Sequence, residues 1–311
     1  METSSINIKS RPEEPAIQEK LYTGVYWKNG KPITFPKEVK RLDIFEFDRK
    51  EENKRPLTIR FAFWTHPCED HITNNFKKSS QFITMKTIKD WGRWIRPGSI
   101  AVDIGTHSGD TTVPFAVSAA MTIGFEPNPA VYKMVQANRD VNPELNIKIH
   151  QYGVANRAYK DTWSYDCNGG ADDKGRTEMN FHVELVVLSD FLERNYSDDV
   201  TANISFIKID TEGYDMYILD TLEPIFKKTK ERPIIFIEWF ISFKKDKNLE
   251  LLSHIERINY VAYDPERGTK KVNLNVTDRE YHDLILFPKE RANELIRTKD
   301  GDNHNRNYPT T

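Results

Sequence analysis

Ser99-Ile100-Ala101-Val102-Asp103-Ile104-Gly105-Thr106-His107-Ser108-Gly109-Asp110 decides how the chain folds. Ile100–Ile104 is a short apolar strand that breaks at a glycine turn. A segment of helical composition follows, Thr111–Ala120, where Pro114 is tolerable only in the first turn. The same cadence recurs downstream. Strands are expected over Met121–Phe125, Ile147–Tyr152, Ile204–Ile209, Pro233–Trp239, Tyr260–Tyr263 and His282–Phe287. Helices are expected over Ala130–Val141, Ser189–Arg194, Tyr214–Phe226 and Leu249–Arg257. Residues 155–187 lack helical pattern and read as a β-hairpin excursion around Asn168-Gly169-Gly170. Short apolar strands alternating with helices predict an α/β fold with a doubly wound, Rossmann-like, mainly parallel sheet. Ligands of such sheets lie beyond the carboxyl ends of the strands, at the topological switch point. Function is therefore expected just after Ile104, Phe125, Tyr152, Ile209 and Ile237.

Working outward, Leu57–Trp64 alternates as a strand, and Ile83–Ile95 has the apolar spacing of an amphipathic helix stopped by Arg96-Pro97-Gly98. The chain divides into a flexible tail (1–20), an N-terminal β-rich extension or lid with a connecting helix (21–98), the alternating domain (99–290) and a second flexible tail (291–311). Across 311 residues, 45 basic side chains nearly balance 47 acidic ones, for a net charge of -2. That balance gives no global pull toward nucleic acid or an anionic membrane. No apolar run approaches the roughly 20 residues of a membrane span. The first residues carry no apolar signal core, so the N-x-S/T sequons at Asn195, Asn203 and Asn275 read as chance. Cys68 and Cys167 sit in no ligand spacing, so neither a metal module nor a disulfide scaffold is expected. The expectation is a soluble, cytoplasmic protein.

The strand ends carry the chemistry. A dinucleotide fingerprint needs G-x-G-x-x-G, which the Gly105 turn lacks. Asp103 at that turn suits a cationic ligand better than a pyrophosphate, and S-adenosylmethionine, with an ammonium and a sulfonium, is such a ligand. Gly105 permits a sharp turn and Gly109 opens the next helix. Glu126, in Glu126-Pro127-Asn128-Pro129, stands where an acid accepts hydrogen bonds from ribose hydroxyls. Asp210 should emerge at the end of the Ile204–Ile209 strand, with Lys208 on the same face. Glu212 falls in the next turn, where capping the following helix is its plain alternative. Glu238 closes an apolar run and should face the cleft or a cation such as Lys208.

Five segments occur in one order: V-D-I-G-T-H-S-G-D-T-T (102–112), G-F-E-P-N-P (124–129), V-E-L-V-V-L-S-D-F-L (183–192), I-K-I-D-T-E-G-Y-D (207–215) and P-I-I-F-I-E-W (233–239). This set resembles the FkbM family of S-adenosylmethionine-dependent methyltransferases, from about Phe76 to Pro288. The resemblance implies a seven-stranded class I methyltransferase sheet with its last strand antiparallel. It implies O-methylation of a hydroxyl on a sugar, glycan or other small molecule. Asp103, Gly105 and Gly109 match the family's donor loop, with Thr106 and His107 between them. Glu126 matches its ribose acid, Pro127 and Asn128 the flanking turn, and Asp210 and Glu212 its D-x-E-G element. Gly153 and Val154 stand where the adenine is framed. The family usually has G-A-N-x-G where this chain has Gly105-Thr106-His107-Ser108-Gly109, which sets an imidazole beside the donor. His107 is then either a bulkier loop residue or a group touching substrate.

A hydroxyl acceptor needs its proton removed near the transition state. Candidates for that base are Asp210, Glu212, Glu238 and His107. Two other readings stay open. An RNA ribose 2′-O-methyltransferase would use Lys208, Asp210 and Glu238, with the basic stretches Lys227, Lys228, Lys230, Arg232 and Lys244, Lys245, Lys247 as a footprint. A non-catalytic donor-binding module in an assembly would use the aromatic N-terminal region as its contact surface.

Overall fold

The computed structural model describes residues 92–164, 180–211, 213–239, 245–265, 270–271 and 283–294. It also describes the backbone of five upstream strands: Asn7–Ser10 (β1), Val25–Lys28 (β2), Lys31–Thr34 (β3), Val39–Asp48 (β4) and Leu57–Trp64 (β5). Strands β1, β4 and β5 form an antiparallel sheet, and β2 pairs with β3. Asn7–Ser10 is thus a paired strand inside the stretch read as a tail. The expected Ile83–Ile95 helix lies mostly outside the described residues, and its described part is a single 3₁₀ turn, Gly92–Trp94.

The next strands are Ile100–Ile104 (β6), Met121–Phe125 (β7), Ile147–His150 (β8), Gly153–Val154 (β9), Tyr159–Ser164 (β10), Asn180–Val186 (β11), Ile204–Ile209 (β12), Ile234–Glu238 (β13), Tyr260–Asp264 (β14), Lys270–Lys271 (β15) and Asp283–Pro288 (β16). The main sheet runs β15-β14-β16-β13-β12-β6-β7-β8. Strands β6, β7, β8, β12 and β13 pair in parallel, whereas β16 runs antiparallel between β13 and β14. Seven strands make the expected frame, and the two-residue β15 extends its edge. The chain leaves β6 toward β7 and β8 on one side and returns to β12 on the other, so the switch point lies between β6 and β12.

Side chains alternate across each strand. Ile100, Val102 and Ile104 of β6, with Ile204, Ile207 and Ile209 of β12, enter one core layer. Ala101 and Phe206, with Ile234 and Phe236 of β13, enter the other. The helices are Thr112–Ser118 (α1), Pro129–Asp140 (α2), Leu188–Asn195 (α3), Asp198–Ala202 (α4), Asp215–Leu219 (α5), Glu223–Lys228 (α6) and Lys245–Arg257 (α7). Phe115 of α1 fills the second layer with Trp94, while Leu188, Met216, Ile225 and Leu251 fill the first.

The structure corrects several boundaries. The single helix expected over Tyr214–Phe226 is two helices. Pro224, at the start of α6, has no N–H to continue an earlier helix but fits a first turn. The third strand stops at His150, and Gly153–Val154 pairs instead with β11. The short helix α4 was not foreseen, since five residues give too little periodicity to read. The excursion is indeed a hairpin, with β10 antiparallel to β11, and its turn lies outside the described residues. Among the described residues, no helix is long and apolar enough to cross a membrane.

Candidate active site

The loop after β6 is built by three residues with positive φ: Gly105 at 81°, His107 at 47° and Gly109 at 92°. Glycine at 105 is a packing requirement. A Cβ there would lie 1.7 Å from the backbone oxygen of Asp210. The ends of β6 and β12 therefore meet without an intervening side chain, and the Asp210 N–H donates to the Ile104 carbonyl. Gly109 opens the chain against helix α2, since its Cβ would meet Val135 at 2.9 Å. Both glycines serve the close approach of protein to protein.

His107 is held in a left-handed backbone that costs a non-glycine residue of order 1 kcal/mol or more. Its N–H donates to Glu126 Oε2 at 2.9 Å, and the Asn128 N–H donates to Oε1 at 2.9 Å. Glu126 thus folds both loops around its own carboxylate. Burial pushes its pKa up to about 8, against the pull of those two N–H groups. Each oxygen keeps a further lone pair after these bonds. Asn128 caps α2 through Oδ1, which accepts the Val131 N–H at 3.4 Å, and Pro127 is half-buried beside it. Gly153 and Val154 are buried, with Leu185 and Pro127 packed over the Gly153 Cα.

Asp103 is fully buried and bonded to the protein itself. Its Oδ2 accepts from Thr111 at 2.8 Å and Thr112 at 2.5 Å. Its Oδ1 lies 3.4 Å from Lys208 Nζ. The carboxylate read as suited to a cationic ligand is covered by the first turn of α1. Lys208 stands beside Asp103 in register, donates to the Gly105 carbonyl at 3.0 Å and pairs with Asp210 at 2.9 Å. Glu238, expected to face the cleft or a cation such as Lys208, is hydrogen-bonded to Asp210, which itself pairs with Lys208. Burial raises the Asp210 pKa, but the Lys208 ammonium and the Glu238 hydrogen bond outweigh it, leaving Asp210 below the ordinary aspartate value. Asp110, in the loop's last position, is pushed up to about 6 by burial, against the pull of His107 and Lys208.

Glu212 lies outside the described residues. Asp215, quoted in the motif but given no role from sequence, clamps its loop. It accepts the Thr211 N–H at 2.8 Å and the Gly213 N–H at 3.0 Å. Next to that loop, the hydroxyls of Tyr214 and Tyr159 bond at 2.6 Å, and the Trp163 ring stacks on Tyr214 at 6.4 Å. The hairpin is thereby tied to the D-T-E-G-Y turn. Nothing along the chain signals this tie beyond the aromatic content of β10.

Four acids expected at separate strand ends thus converge: Asp103, Glu126, Asp210 and Glu238, joined by Asp110. Three buried polar atoms around them, Thr106 Oγ1, His107 Nδ1 and Thr211 Oγ1, have no hydrogen-bond partner among the described residues. A cluster with spare carboxyl lone pairs and unsatisfied polar atoms fits a polar nucleoside. The basic stretch 227–232 is dispersed into ion pairs: Lys227 with Glu223, Lys228 with Glu193 and Asp198, and Arg232 with Glu290.

The methyltransferase FkbM domain model matches residues 103–262, just over half of the chain. Among solved structures, the chain is similar to methyltransferase FkbM from Methylobacillus flagellatus KT, with 16% identity, 68% of this chain and 52% of that one covered, and a TM-score of 0.41. It spans about half the length of that relative. Similarity extends to a precorrin-6y C5,15-methyltransferase from Geobacter metallireducens GS-15 (12% identity, 66% and 85% covered, TM-score 0.37). An rRNA methylase from Streptococcus thermophilus also matches (12% identity, 65% and 93% covered, TM-score 0.39). No curated protein matches the chain. The matched region begins at Asp103, includes all five motif segments but the first residue of the first, and contains every acid of the cluster: the chain belongs to the FkbM methyltransferase family.

Proposed function

We propose that this methyltransferase takes S-adenosylmethionine as donor and methylates a hydroxyl of a small molecule or glycan. The observation that carries the reading is Glu126, a buried carboxylate fixed by the His107 and Asn128 N–H groups with lone pairs to spare. Ribose hydroxyls are donors that its free oxygen lone pairs accept, and hydrogen bonds of this kind contribute about 0.5–1.5 kcal/mol each. Asp210 offers a carboxylate to the donor's ammonium, and Gly153 and Val154 border its adenine. Thr106, His107 and Pro127 complete the wall.

When bound, the donor supplies an electrophilic methyl group on a sulfonium. The chain's own task is orientation and proton removal. Alignment of reacting atoms lowers a barrier by about 7–11 kcal/mol in well-oriented systems. The acceptor's proton passes to a base drawn from Asp210, Glu238, Glu212 and His107. Asp210 is favoured, because its low pKa keeps it ionised and ready to accept at neutral pH. Asp103 and Asp110 act behind it, holding Lys208 and α1 in place.

The ion-paired 227–232 segment lends no support to an RNA groove. Calorimetric titration with S-adenosylhomocysteine tests the donor reading. Glu126→Ala should bind at least tenfold more weakly than the native protein. Unchanged affinity in a folded variant would reject the ribose role. Asp210→Asn should keep the fold and lose methyl transfer.

A further inference from the structure

Lys208 is the least expected charge in the molecule. It sits in the apolar strand β12 with its side chain 4% exposed. It is too enclosed to reach an acceptor. Asp210, two residues on and on the same face, has its side chain 30% exposed. The ammonium therefore lies beneath the carboxylate, on the protein side. It also bridges the two strand ends that form the switch point, through the Gly105 carbonyl and Asp103. Among the described residues, the other titratable groups around Asp210 are acids and a histidine: Asp103 and Asp110 with His107 from β6 and its loop, Glu126 from β7, Asp215 from α5 and Glu238 from β13. Without the ammonium, Asp210 would stand among like charges in a largely water-excluded site, where an acid takes up a proton.

We propose that Lys208 is the positioning residue of this active site: its buried ammonium keeps Asp210 ionised and aimed at the donor while touching neither donor nor acceptor. The inference rests on the donor reading above. It accounts for a full positive charge in a strand whose other side chains are mostly apolar. A lysine there costs desolvation that only ion pairing offsets, and Asp210 and Asp103 supply that pairing.

The test is calorimetric binding of S-adenosylhomocysteine at pH 6 and pH 8. Each variant is compared with native protein at the same pH, so the titration of Glu126 and Asp110 is common to both. Lys208→Met should weaken binding at least tenfold at pH 6 and recover part of that loss at pH 8, because without the ammonium Asp210 holds a proton more readily at the lower pH. In an Asp210→Asn background, Lys208→Met should change affinity less than twofold, the signature of action through one partner. An equal loss at both pH values and in both backgrounds would mean a purely structural role and would overturn the proposal. Lys208→Gln, which keeps a donor for the Gly105 carbonyl without the charge, serves as the second variant. A wild-type measurement stands apart from any folding defect. Nitrogen NMR should show one lysine ammonium, protected from exchange, still charged above pH 10.5. Titration of every lysine at or below that value would also overturn it. Failure of native protein to bind S-adenosylhomocysteine would instead sink the donor reading itself.

Discussion

Gly105 and Gly213 share a positive φ, 81° and 127°, for different reasons. At Gly105 the missing Cβ is what lets Asp210 approach. At Gly213 nothing lies within 4 Å of the place a Cβ would take, so only backbone strain opposes a side chain. Gly105→Ala should therefore cost about 3–5 kcal/mol, in the range reserved for disrupted packing, and Gly213→Ala about 1–2 kcal/mol. Urea unfolding midpoints check the pair, and equal losses would contradict the packing role of Gly105. The acids make a second prediction. Asp110 moves from 3.8 to about 6 and Glu126 from 4.5 to about 8 on folding. The folded chain then holds protons that the unfolded chain has released, so stability falls as pH rises through those windows. The melting temperature of the ligand-free protein should drop between pH 5 and 8. Asp110→Asn should flatten the lower part of that slope and Glu126→Gln the upper part. A melting temperature that rises over the interval would refute both shifts. Identity of the acids was legible from sequence, because carboxylates at strand ends stand out against apolar strands. Their burial was not: what covers Asp103 are Thr111 and Thr112, whose hydroxyls look like ordinary helix-start residues until the fold turns them inward.

At the scale of elements, the strands were legible because apolar runs with sharp turn signals fix both ends. The helices were less so. Pro224 and the break at Asp220–Leu222 divide one expected helix into two, a decision made by a missing N–H and the turn at Ile218–Leu222 rather than by periodicity. The D-T-E-G-Y loop between β12 and α5 is shaped by Asp215, whose carboxylate takes two backbone N–H groups. Asp215→Ala should cost about 1–2 kcal/mol, as for the loss of a helix cap. It should also speed amide exchange at Thr211 and Gly213 specifically. Hydrogen exchange resolved by residue is the check, and protection unchanged at both amides would remove Asp215 from that role. The hairpin β10–β11 grips the same loop from the other side through Tyr159, Trp163 and Tyr214. No motif announced that grip, since it joins residues far apart in sequence through rings and hydroxyls.

Over the whole molecule, the strand order was implied by the family likeness and by βα alternation, and the sheet bears it out down to the antiparallel β16. The two-residue β15 carries no sequence signal of its own. Because the proposed donor site spans β6, β7 and β12, occupancy should stabilise the domain as a unit. At one hundred times its dissociation constant, S-adenosylhomocysteine should add about 2.7 kcal/mol by mass action. For a domain of this size that is a rise of about 5–10 °C in melting temperature. A thermal scan showing no shift at saturation would contradict binding. The position of β16 has a temporal consequence. Strands β13 and β14 lie on either side of it, yet residues 283–288 are synthesised after both. A growing chain that has emerged only as far as Asp264 holds two strands with a one-strand gap between them and open hydrogen-bonding edges on each side. Every buried residue of β16, from Leu284 to Pro288, must slot into that gap afterwards. The nascent protein therefore depends on β16 to close its sheet, and during that interval it is the half-built edge, not the finished surface, that invites a chaperone or a wrong strand.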